Sequence, residues 1–196
     1  MKPKGGGVED GVAHITKNQR KGKATMGMDV YGKNPSGEKG EYFRNNVWWW
    51  RPLWDYCESV APHLCEDVSG HTNDGEGLDE VGAQELATIL LNELSNGDTL
   101  FYQQKYNEYR ASLPREDCDL CGTSGIRTDS IGMEMGQHDK ELPVEVQILT
   151  GRTHGWCNGC NGVGTRESWQ ASYPFSVDNV KEFAEFLSEC GGFSIC

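Results

Sequence analysis

Cys118-Asp-Leu-Cys121-Gly122-Thr-Ser-Gly125 and Cys157-Asn-Gly-Cys160-Asn-Gly162-Val-Gly164 are two copies of one short pattern, with 35 residues between the cysteine pairs. Two residues between cysteines let one tight turn aim both sulfurs at a common point. Two such pairs supply the four thiolates that a zinc tetrahedron takes. The second copy is a full C-x-x-C-x-G-x-G, and its glycines allow sharp backbone turns beneath a metal. The first copy keeps the last glycine, Gly125, but carries Thr123 where the other belongs. The reading is therefore one structural Zn2+ held by Cys118, Cys121, Cys157 and Cys160. Two disulfides, or four unrelated core cysteines, are the alternatives.

The repeat resembles the cysteine-rich zinc region of DnaJ-type chaperones over about Cys118 to Gly164. That family carries four repeats and this chain two, so the resemblance implies one zinc site. The family's His-Pro-Asp signature is absent. The resemblance implies a zinc fold with an exposed, protein-binding surface rather than a co-chaperone. The rest of the chain, from Met26-Gly-Met-Asp-Val-Tyr-Gly32 to Cys190-Gly-Gly-Phe-Ser-Ile-Cys196, resembles small uncharacterised proteins of phages and bacteria, and that resemblance implies no activity.

The chain has 196 residues, 36% of them hydrophobic, enough for one compact domain with a small zinc lobe. No apolar run approaches membrane-spanning length, and the basic start Met1-Lys-Pro-Lys4 has no apolar segment of a secretory signal. Eight cysteines without an export signal point to a reducing cytoplasm, that of a bacterial host cell if the whole-chain resemblance holds. Net charge is -12, and from Asp55 to Asp98 there are 11 acids and no Lys or Arg. Such a face repels phosphate backbones, which leaves DNA mimicry, basic protein partners, a divalent cation or plain solvation. Residues 1–25 carry six bases and two acids and read as a flexible tail, the one part suited to touching nucleic acid.

Met28-Asp-Val30-Tyr31 alternates like a short strand. Four of the six tryptophans fall within residues 48–54, and three in a row cannot all face one core. Trp48, Trp49 and Trp50, with Arg44, Asn45, Asn46 and Arg51, thus form a candidate binding surface. Pro52 suits the first turn of a helix carrying Leu53 and Cys57. Cys57, His63, Cys65, His71, Cys190 and Cys196 are candidates for a second metal site, with burial as free thiols the plainer reading of the cysteines. Asp79 is placed to cap a helix bearing Leu86, Ile89, Leu90 and Leu94, and Gly97 to stop it. A second helix, capped by Asp98, aligns Tyr102, Tyr106, Tyr109 and Leu113, so the two form an antiparallel hairpin. Between the cysteine pairs, Val144, Val146 and Ile148 alternate with Glu145 and Gln147 as a half-buried strand, with Ile126-Arg-Thr-Asp129 a possible partner. A last helix, capped by Ser176 or Asp178, buries Val180, Phe183 and Phe186 or Leu187, and the apolar tail folds back.

The expected fold is α+β. A Trp-rich, mostly helical body spans 26–114, a zinc-ribbon lobe with a β-hairpin spans 115–166, and a C-terminal helix and tail in 167–196 pack back on the body. Four thiolates saturate zinc and leave no open position for water, so a binding protein with a protein partner and no membrane is expected. An enzyme using Arg44, Asn45, Asn46, Arg51, His63, His71 and Asp74 is the alternative. A dithiol redox protein and a nucleic-acid-binding ribbon follow behind.

Overall fold

A computed structural model describes residues 27–196. The basic tail expected over 1–25 lies outside the described residues. The architecture is α+β. A three-stranded antiparallel sheet in the order β2-β1-β5 is built from β1 (Gly27–Gly32), β2 (Tyr42–Asn46) and β5 (Phe193–Ile195). Val30 faces Phe43 on one side and Ile195 on the other, so β1 is central. The apolar tail thus closes the sheet rather than merely lying on the core.

Against the sheet pack α1 (Val47–Val60) and α7 (Val177–Glu189), and α3 (Glu80–Asn96) packs on those two helices, with a short α2 (Pro62–Cys65) between α1 and α3 in the chain. Helix α1 begins five residues before the expected Pro52, which lies inside it. The Asn46 side chain accepts from the amides of Trp48 at 3.0 Å and Trp49 at 3.2 Å, a cap strong enough to start the helix there. The Trp run is therefore a first helical turn. Helical spacing sends Trp50, Leu53, Trp54 and Cys57 inward and leaves Trp48 outside. Trp50 and Trp54 stack at 5.7 Å among Phe43, Phe183 and Phe193. The Trp50 indole donates to the Gly70 carbonyl at 2.6 Å.

Helices α3 and α4 (Asp98–Ser112) form the expected hairpin, hinged at Gly97 with φ 85°. Asp79 caps α3 through the Gly82 amide at 2.8 Å. Asp98 does not cap α4: it is the first helical residue, and Gly97 holds the cap position without a side chain. Tyr102 and Tyr106 pack on Phe175, while Tyr109 points to solvent, because α4 lies at the rim of the body. Ser176 precedes α7 without a side-chain cap bond, and Gln103 of α4 accepts from the Val177 amide at 2.8 Å instead.

Between α4 and α7 lies the lobe with both cysteine pairs. A two-rung ladder of β3 (Glu116–Asp117) and β4 (Thr165–Arg166) closes its base. The expected strand at Val144–Ile148 is instead a helix, α6 (Val144–Thr150), and Ile126–Asp129 forms no strand but leads into α5 (Ser130–Glu134). Pro143 fixes the backbone ahead of α6, and Gly151 at φ 70° ends it. An alternating run also contains i and i+4 positions, so Val144 and Ile148 share one helical face without any partner strand. The β-hairpin of the expected ribbon is thereby reduced to the two rungs at the base and one isolated antiparallel bridge between Glu141 and His154.

Candidate metal centre

The two cysteine turns adopt one backbone shape. Gly122, Thr123 and Gly125 have φ of 54°, 67° and 72°, and their equivalents Asn161, Gly162 and Gly164 have 51°, 80° and 94°. In each copy the last glycine amide donates to the second cysteine sulfur: Gly125 to Cys121 at 3.3 Å, Gly164 to Cys160 at 3.2 Å. The copies also pack reciprocally. A Cβ on Gly125 would strike the Gly162 carbonyl, and one on Gly164 would strike the Thr123 carbonyl. Glycine is required at both positions by φ and by contact, which explains why both copies retain it.

This pairing converges the four sulfurs within 4.8 Å of one another. Cys118 and Cys157 are 3.8 Å apart, Cys121 and Cys160 3.7 Å. A tetrahedron with metal–sulfur bonds of about 2.3 Å has sulfurs about 3.8 Å apart. The spacing is far beyond a disulfide bond of about 2.05 Å, and all eight cysteines are free. Burial pushes the Cys160 thiol up to about 12, against the Gly164 amide, which lowers it. Burial also raises Cys157. Burial acts the same way on Cys118, but hydrogen bonds from Cys121 and the Leu120 backbone outweigh it and leave that thiol lowered. Four packed sulfurs of this kind shed their protons when a cation arrives to compensate the charge. The group can hold a metal ion.

The lobe buries little apolar surface. Between β3 and β4 the buried apolar side chains are Cys118, Cys157, Cys160 and Leu142. Polar clamps do the remaining work. Buried Arg127 grips Asp129 at 2.7 and 2.9 Å and Asn158 at 3.0 Å, tying the insert to the second cysteine turn. Lys140 lies over the Trp156 ring at 4.4 Å.

The other predicted residues are dispersed. Trp50 is fully buried and contributes no surface. Trp48 is 43% exposed and lies on Tyr173, whose face Arg51 also covers at 5.8 Å. Trp49 is half-buried, and its carbonyl accepts from Asn179 at 3.3 Å. Asn45 donates to Asn179 at 2.6 Å, Asn46 is the helix cap, and Arg44 pairs with Asp29 at 3.5 Å. The Arg44–Arg51 stretch thus serves the core and its rim. Cys57, Cys65 and Cys190 are buried in the body core, and Cys196 is exposed. His63 bonds Glu85 at 3.0 Å, and Asp74 sits in an exposed turn. Among the described residues, the second grouping suited to a metal is Asp55, Glu58 and His71, with His71 3.1 Å from Asp55. It shares only His71 with the expected set. The sequence reading missed it; the i, i+3 spacing of Asp55 and Glu58 on α1 is the one signal that could have found it.

Among the described residues, no helix is long and apolar enough to cross a membrane. Comparison with protein-family models, curated proteins and solved structures gives no match to this chain.

Proposed function

We propose that the chain is a zinc-binding accessory protein whose four-cysteine lobe, residues 115–166, presents an apolar surface to another protein. One observation carries this reading: the lobe turns its apolar residues outward. Ile131, Met133 and Met135 around α5 and Val144, Ile148 and Leu149 on α6 are all exposed, Ile148 by 81%. A lobe built to fold on apolar burial would have placed these side chains inside. One held by a metal is free to offer them outward, and exposed apolar surface with adaptable methionines is the chemistry of protein contact. Zinc is the metal that four thiolates select, and it would be structural. The resemblance of the cysteine repeat to DnaJ-type zinc regions is in keeping with an exposed, protein-binding surface. The resemblance to small phage and bacterial proteins supports work in a bacterial cytoplasm.

The test is capture from a bacterial lysate by the intact chain and by the Val144→Glu/Ile148→Glu double variant. Both should carry the same metal. A protein retained by the first and lost from the second supports the reading, and identical capture profiles contradict it.

A second reading, an enzyme with its site in the 44–74 region, is favoured by the convergence of Asp55, Glu58 and His71. Three protein ligands on an exposed surface would leave coordination positions open for chemistry. A second metal per chain, lost on His71→Ala, supports it.

A further inference from the structure

The lobe holds a second feature that the metal does not use. A cavity of roughly 510 Å³ opens between the cysteine turns and α6, walled by Arg115, Arg152, Thr123, Thr165, Leu149 and Val163 together with Ser124 and Thr150. No carboxylate lines it, in a chain of net charge -12. Both neighbouring cavities that share Arg115 include Glu167.

Both guanidiniums are anchored without being neutralised. Arg115 donates from Nε to the Thr165 hydroxyl at 3.0 Å and from one terminal nitrogen to the Thr165 carbonyl at 2.8 Å. Arg152 donates to the carbonyls of Gly155 at 3.1 Å, His154 at 3.4 Å and Gly162. Neither pairs with a carboxylate among the described residues. The anchoring bonds leave the second terminal nitrogen of Arg115 unengaged. The Thr165 hydroxyl, an acceptor toward Arg115, keeps its own proton to donate. Convergent guanidinium and hydroxyl donors in a carboxylate-free recess are the means by which proteins hold phosphate oxygens.

The first cysteine turn departs from the repeat at this same place. Thr123 takes a left-handed φ of 67° where the second copy has Gly162, and its side chain joins the cavity wall. Leu149 and Val163 add apolar surface to the same lining. A bare phosphate would fill a small part of the space.

We propose that this cavity binds a phosphate monoester carrying a compact apolar or aromatic group. The phosphate lies on Arg115, Arg152 and Thr165, and the organic group lies on Leu149 and Val163. The site goes beyond the protein-binding reading, because it needs only the folded lobe and no apolar partner.

The experiment is an amide-resolved NMR titration of the intact, metal-loaded chain in phosphate-free buffer. Phenyl phosphate, inorganic phosphate and phenol are the three probes. Saturable shifts at Thr123, Leu149 and Thr165 with phenyl phosphate are expected, with weaker binding of inorganic phosphate and none of phenol. Arg115→Gln should weaken phenyl phosphate at least about tenfold. Leu149→Glu, at an exposed position that the fold does not need, should do the same by adding a carboxylate to the wall. It decides the matter if Arg115→Gln fails to fold, which the same spectra reveal. Shifts that do not saturate, equal affinity in Leu149→Glu, or inorganic phosphate binding as well as the ester would overturn the proposal.

Discussion

Burial that raises the Cys157 and Cys160 thiols, the latter to about 12, sets how the centre responds to pH. At neutral pH both carry protons in the metal-free chain, so metal entry must release at least those two. Each released proton makes affinity tenfold greater per pH unit, and the direction is a gain as pH rises. Chelator competition at two pH values one unit apart should therefore show at least about a hundredfold tighter zinc binding at the higher pH. A pH-independent affinity would mean that the thiols are not the ligands. Gly125 and Gly164 belong to the same scale. Alanine at either position would meet both a left-handed φ and the opposite turn's carbonyl, so Gly125→Ala and Gly164→Ala should each abolish metal retention while leaving the body folded. Circular dichroism beside metal analysis separates those two effects.

At the scale of elements, α1 concentrates the stability of the body. Trp50→Ala would open a large cavity among stacked rings and should cost about 3–5 kcal/mol in denaturant unfolding. Asn46→Ala removes only the cap and should cost about 1 kcal/mol. Comparable losses would mean that α1 starts elsewhere. Helix α1 also shows where the sequence was legible and where it was not. The inward stripe of Leu53 and Cys57 could be read from its period. The true start could not, because Pro52 carries a start signal that Asn46, placed one residue before the helix, overrides. The α3–α4 hairpin was legible because Asp79 and Gly97 act locally, through one cap bond and one left-handed residue. The Val144–Ile148 run misled for the opposite reason. Its alternation fits a strand only if another strand is available, and whether one is available depends on how the insert folds. The four clustered cysteines were legible because the spacing within each pair is short-range chemistry. The cavity beside them was not, since Arg115 and Arg152 are 37 positions apart and meet only once the two turns pair.

The whole molecule divides its stability between two sources. The body buries Trp50, Trp54, Phe183, Phe186 and Phe193 in one contiguous core. The lobe buries three cysteines, Leu142 and a few polar clamps, too little apolar area to order about fifty residues unaided. On the proposal of a structural metal, its binding free energy supplies the folding free energy of the lobe, and its removal should leave the body intact. The most direct measurement is zinc per chain in protein purified without added metal, beside the Cys118→Ser and Cys157→Ser variants. One zinc per chain, absent from both variants, with loss of lobe signals but retention of the body's tryptophan core, is the predicted result. A metal-free wild type whose lobe remains folded, or whose cysteines titrate as disulfides, would contradict the account.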